Sequence, residues 1–128
     1  MAKILVIDDD LQVRTMLRGM LEDEGYEVDV AENGREGVQQ YLAEPCDLVI
    51  ADIVMPEMEG VEVINLLQKC VPAPKIIAIS GGSRDTTASQ NLQIAGQLGA
   101  AVTLKKPVTY DILMAAVRNA LHPKDPPT

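Results

Sequence analysis

A chain of 128 residues, 47% of them hydrophobic, has the size and apolar content of one folded domain. Its net charge of -8 excludes a basic nucleic-acid surface, and no apolar run is long enough to span a bilayer. Phe and Trp are absent, so the core must be built from Ile, Leu, Val, Met and Ala.

Taken in order, Lys3 to Ile7 is an apolar run that ends on Asp8-Asp9-Asp10. It follows Met1-Ala2 with no signal-peptide pattern, from which a cytoplasmic protein is expected. From Leu11 the period changes. Val13, Met16, Leu17, Met20 and Leu21 recur at helical spacing, with Arg14, Arg18, Glu22 and Asp23 opposite. Asp10 is placed to cap that helix and Gly25 to stop it. Glu27 to Ala31 alternates like a half-exposed strand. Asn33 and Glu36 have capping-box spacing for a helix burying Val38, Tyr41 and Leu42, closed by Pro45.

Asp47 to Ala51 is almost wholly apolar and predicts a buried parallel strand. It ends on Asp52, a carboxylate that is costly to bury without a partner. Val63, Ile64, Leu66 and Leu67 predict a third helix, ended by Pro72 and Pro74. Lys75 to Ile79 is a further buried strand, running into Ser80 and Gly81-Gly82. Ser83 to Leu98 is polar, with a thin stripe of Leu92, Ala95 and Leu98 that predicts a weakly held helix. Ala101 to Leu104 is the last strand. Lys105-Lys106-Pro107 follows, where the proline fixes the backbone and the Lys-Pro bond can be cis. Thr109 caps a helix carrying Leu113, Ala116, Val117, Ala120 and Leu121. Residues 1–121 are expected to form the domain, and 122–128 a disordered tail or the start of a linker. Cys46, Cys70 and His122 lack metal-ligand spacing, so inert thiols are expected.

Strand and helix alternate five times. Such alternation predicts an α/β protein: a doubly wound, flavodoxin-like (βα)5 parallel sheet in the order 2-1-3-4-5. In that order the ligand crevice lies outside the carboxyl ends of the first and third strands. Asp8, Asp9 and Asp52 therefore converge, with Ser80 and Lys106 on the same edge. Two carboxylates about 4 Å apart repel by roughly 4 kcal/mol at an effective dielectric of about 20. Protonation, Lys106 or a cation must offset this. Oxygen ligands with room for waters suit Mg²⁺. A cation, a free carboxylate, a hydroxyl and a lysine together make a phosphoryl-binding set, in which Asp52 is the nucleophile that forms an acyl phosphate. Singly, each acid is as well explained as a helix or loop cap; convergence at the strand ends favours chemistry.

These pieces resemble a response-regulator receiver domain of two-component phosphorelay signalling. The resemblance rests on Ile4-Leu5-Val6-Ile7-Asp8-Asp9-Asp10, Ala31-Glu32-Asn33-Gly34-Arg35-Glu36, Asp52-Ile53-Val54-Met55-Pro56-Glu57-Met58-Glu59-Gly60, Ile76-Ile77-Ala78-Ile79-Ser80 and Leu104-Lys105-Lys106-Pro107. It implies Asp52 as phosphoacceptor, Asp9 as direct Mg²⁺ ligand, Asp8 acting through a water, and the Val54 carbonyl as a further ligand. Ser80 is implied as the switch hydroxyl and Lys106 as the phosphoryl contact. The implied donor is a phosphohistidine on a sensor histidine kinase or phosphotransfer protein, docking on the first helix at Leu11, Arg14, Thr15 and Arg18.

The expected product is a signalling switch and not an enzyme, a monomer or weak dimer with no direct nucleic-acid or membrane binding. Its output partner is not named by the sequence. Thr103 and Val108 stand where receivers usually carry aromatics, so the aromatic-turning output cannot run in its ordinary form. A phosphorylation-independent receiver-fold module is the alternative. A haloacid-dehalogenase-like phosphatase, suggested by Asp8-x-Asp10, leaves Asp52 to Gly60 unexplained.

Overall fold

The computed structural model describes residues 2–53, 60–81 and 99–122. Its strands are β1 (Lys3–Ile7), β2 (Glu27–Ala31), β3 (Leu48–Asp52), β4 (Lys75–Ser80) and β5 (Val102–Lys105). Its helices are α1 (Leu11–Asp23), α2 (Gly34–Ala43), α3 (Gly60–Gln68) and α4 (Tyr110–Leu121). All strand pairs are parallel and the sheet order is β2-β1-β3-β4-β5, as the alternation predicts. The expected helix over 83–98 lies outside the described residues.

The sheet divides two cores. Ile4, Val6, Leu48, Ile50, Ile77 and Ile79 face α1 and α4, against Leu17, Leu21, Leu113 and Val117. Leu5, Ile7, Val49, Ala51, Ile76 and Ala78 face α2 and α3, against Tyr41, Val63, Ile64 and Leu67. Alternate side chains of β1, β3 and β4 are thus buried on opposite faces. That double burial is why these strands are continuous apolar runs in the sequence. Each fully buried Ile or Leu contributes roughly 1.5–3 kcal/mol.

Helix ends follow their capping residues. The Asp10 carboxylate accepts from the Gln12 and Val13 N–H groups, at 2.8 and 3.3 Å. The Asn33 side chain accepts from the Glu36 N–H, while the Glu36 carboxylate reaches the N–H of Glu32 and not of Asn33. Thr109 Oγ1 accepts from the Ile112 N–H. Gly25, at φ 91°, turns the chain out of α1 into β2. Gly37 lets α2 lie close on β1: a Cβ there would overlap the Ile7 side chain, one residue before Asp8.

Several packing expectations need correction. Leu42 is 64% exposed, not buried. One residue further round the helix than Tyr41, it is rotated off the sheet by about 100°. Tyr41 fills the interior position, and its hydroxyl donates to the Pro72 carbonyl at 2.9 Å. Met16 and Leu66 likewise lie at the margins of their apolar stripes, while Met114 joins the core. Both β3 and β4 run one residue past the expected ends, so Asp52 and Ser80 belong to the strands themselves. The Lys106-Pro107 bond is cis, and so is Val71-Pro72. Among the described residues, no helix is long and apolar enough to cross a membrane.

Candidate functional site

Asp8 follows β1 directly and is 1% exposed. Every polar group of this residue is engaged. Its N–H donates to the Ala31 carbonyl at 3.2 Å, and its carbonyl accepts from Arg14 Nη1 at 2.8 Å. Oδ1 accepts from the Asp10 N–H at 2.9 Å, and Oδ2 lies 3.4 Å from Lys106 Nζ. Asp52 ends β3 and is 5% exposed; its Oδ2 accepts from Lys106 Nζ at 2.8 Å. The lysine thus bridges two buried carboxylates. Asp9 is exposed at the mouth.

The strand ends meet because the sheet is parallel at this edge. The Ile53 N–H donates to the Ile79 carbonyl and the Lys106 N–H to the Ser80 carbonyl, each at 3.0 Å. Ser80 is fully buried on β4, and Lys106 follows β5. Asp8, Asp9, Asp52, Ser80 and Lys106 therefore share one edge, as the topology predicts. Val54 lies outside the described residues.

Electrostatics here are frustrated. Burial pushes the Asp8 carboxyl above its ordinary range; Asp52 adds to this, while the Asp10 N–H and Lys106 partly oppose it. For Lys106, burial disfavours the ammonium, but the Asp52 hydrogen bond and the two carboxylate charges outweigh it and raise its pKa. Among the described residues, Lys106 is outnumbered by the carboxylates of Asp8, Asp9 and Asp52.

The donor set fits a hard divalent cation. Oxygens of Asp8, Asp9 and Asp52 all lie within 4.8 Å of one another. An octahedral Mg²⁺ with ligands at about 2.1 Å needs adjacent oxygens about 3 Å apart, so these oxygens would draw together on binding. The exposure of Asp9 leaves a side open to the waters that Mg²⁺ retains.

Asp10 does not join the cluster, because its carboxylate caps α1. That spends the second acid of Asp8-x-Asp10 and disfavours the phosphatase reading. Thr103 is exposed on β5, and Val108 is buried. Burial raises the Cys46 thiol to about 11, in keeping with an inert group. Sequence reasoning missed two features. One is the bond from Arg14 to the Asp8 carbonyl, which helical period, placing Arg14 on the α1 surface, does not reveal. The other is a groove of about 420 Å³ beside Lys106, lined by Val13, Met16, Gly81, Pro107 and Val108.

A doubly wound parallel sheet with an acidic crevice between its first and third strands defines the class of this protein. Residues 4–118 match the family model described as the response regulator receiver domain, and the chain belongs to that family, the receiver domains of two-component systems. It is 38% identical over 128 residues to the transcriptional regulatory protein GlrR of Escherichia coli, covering 99% of this chain and 28% of that protein. Its identity to ZraR of the same organism is 34% over 118 residues, covering 92% and 26%. The chain thus spans about a quarter of the length of these relatives. Among solved structures it is similar to a receiver domain protein from Clostridium thermocellum, at TM-score 0.84 and 33% identity over 94% of each chain. A CheY-like receiver domain protein from Methanospirillum hungatei gives a TM-score of 0.85 at 30% identity, again over 94% of each.

Proposed function

We propose that this receiver domain, residues 1–121 with 122–128 as tail or linker, takes a phosphoryl group onto Asp52 from a phosphohistidine of a sensor histidine kinase or phosphotransfer protein. The observation that carries the reading is the bridge of Lys106 between the buried carboxylates of Asp8 and Asp52. A carboxylate oxygen of Asp52 attacks phosphorus, the P–N bond to the imidazole breaks, and the nitrogen keeps the electron pair. The product is an aspartyl phosphate that water later hydrolyses, so the chain turns over only its own phosphoryl group.

Asp8, Asp9, Asp52 and the Val54 carbonyl would hold Mg²⁺, which supplies charge neutralisation at the phosphoryl oxygens. Lys106, held in a partly desolvated crevice, neutralises the same oxygens and stays protonated throughout the neutral range. Ser80, already on the neighbouring strand, donates its hydroxyl to a phosphoryl oxygen and so couples modification to the β4 edge. The donor docks on α1 and the groove beside Lys106, whose apolar lining suits a helix surface. With Thr103 exposed and no aromatic beside it to turn inward, the altered partner surface is carried by the segment after β4 rather than by β5.

The test is incubation with acetyl phosphate and Mg²⁺, followed by mass spectrometry of the intact chain. Wild type gains one phosphoryl group, and Asp52→Ala gains none. No gain by wild type rejects the switch in favour of a phosphorylation-independent module; equal gain by the variant rejects Asp52 as acceptor.

A further inference from the structure

Arg14 lies on α1, one turn past its Asp10 cap, yet its guanidinium turns back to the strand that precedes the helix. Nη1 donates to the Asp8 carbonyl at 2.8 Å. That carbonyl belongs to the planar peptide joining Asp8 to Asp9, so the bond fixes the plane from which the Asp9 main chain departs. The Asp8 side chain has its own anchors in the Asp10 N–H and Lys106. Asp9 is exposed, and the position from which its side chain departs is set by the backbone that bears it.

We propose that Arg14 is a positioning residue for the divalent-cation site: by holding the Asp8 carbonyl it sets the Asp8–Asp9 peptide and aims the Asp9 carboxylate into the crevice. The inference rests on the Mg²⁺ reading above. Two effects of this one side chain have opposite signs. Its positive charge, held at the Asp8 carbonyl beside the site, repels an incoming cation. Its hydrogen bond holds a ligand in place and favours the cation. Positioning is the larger effect, because the bond is direct and part-buried, whereas the charge acts at longer range and is screened by salt.

Calorimetric titration of Mg²⁺ into the full chain separates the two. Arg14→Ala is expected to weaken binding about tenfold, in line with other residues that orient metal ligands. Arg14→Lys, which keeps the charge and one donor but lacks the planar fork, is expected to fall between the two and guards against a folding failure of the alanine variant. In phosphorylation by acetyl phosphate, the Mg²⁺ concentration for half-maximal rate should rise while the rate at saturating Mg²⁺ stays unchanged. Equal or tighter Mg²⁺ binding by Arg14→Ala overturns the inference, since that is the outcome of charge alone. A lower saturated rate with unchanged half-saturation overturns it as well. Failure of wild type to bind Mg²⁺ rejects instead the reading on which the inference rests.

Discussion

Two lysines sit among acids at opposite edges of the same sheet. At the amino edge, Lys3 Nζ pairs with Asp29 at 3.2 Å and with Glu44, while its N–H donates to the Asp47 carboxylate at 2.8 Å. At the carboxyl edge, Lys106 pairs with Asp8 and Asp52. The side chains of Asp29 and Glu44 are 51% and 73% exposed, whereas those of Asp8 and Asp52 are 2% and 6% exposed. Both lysines are held protonated: the Glu44 hydrogen bond chiefly raises Lys3, and at Lys106 burial is outweighed by Asp52 and Asp8 together. The pattern of charges is alike, but the solvent differs. Water screens the amino-edge pairs, so they contribute little. Desolvation amplifies every term at the carboxyl edge, so removing a partner there leaves a buried charge uncompensated. Among the described residues, buried carboxylates cluster at the carboxyl edge and exposed ones at the amino edge.

The largest effect expected of a single substitution is therefore that of Lys106→Met. It leaves Asp8 and Asp52 facing each other and should lower metal-free stability at neutral pH by about 2 kcal/mol, below the range for fully buried pairs because Lys106 is 26% exposed. Lys3→Met should cost much less, and its effect should shrink in high salt. Denaturant melts of the two variants check this directly. Equal losses would erase the distinction between the edges.

A second effect concerns acid. The folded Asp8 holds a proton more tightly than the unfolded chain does, so its ionisation opposes folding. Without metal, this residue's contribution to stability should rise as pH falls through its raised folded pKa, and level off below the ordinary value of 3.8. Asp8→Asn should remove that rise. The alkaline side has the opposite sign: Lys106 stabilises below its ordinary 10.5, and that contribution is lost as pH climbs through its raised folded value. Stability profiles of wild type and Asp8→Asn against pH, in chelator, provide the measurement. A parallel pair of profiles on the acid side contradicts the assignment of burial as the dominant influence on Asp8.

Much of this site was legible in the sequence. Three apolar runs end on Asp8, Asp52 and Ser80, and parallel topology brings such ends together whatever the packing beneath them. Among the described residues, strand limits fell within a residue of those expected. Helices α1, α2 and α4 start directly after Asp10, Asn33 and Thr109, which mark helix starts by local hydrogen bonds, whereas α3 ends at Gln68, ahead of the expected stop at Pro72 and Pro74. Contacts made by long side chains across elements were not legible. Arg14 was assigned to the solvent face by helical period, yet its reach carries the guanidinium back to Asp8. The acids around Lys3 come from β2, the C-cap of α2 and the turn before β3, and no sequence interval joins them. Leu42 was misjudged because period alone does not say which of two adjacent apolar residues, Tyr41 or Leu42, fills the interior.

At the carboxyl edge the buried carboxylates of Asp8 and Asp52 share the single ammonium of Lys106, the arrangement that a bound cation would relieve. Thermal unfolding of wild type and Asp52→Asn, each in chelator and in millimolar Mg²⁺, tests it most directly. In chelator, Asp52→Asn should melt higher than wild type, since it removes one repelling charge. Mg²⁺ should raise the wild-type Tm by preferential binding to the folded state and move the variant far less. A lower Tm for Asp52→Asn in chelator, or equal Mg²⁺ shifts in both proteins, would contradict this arrangement.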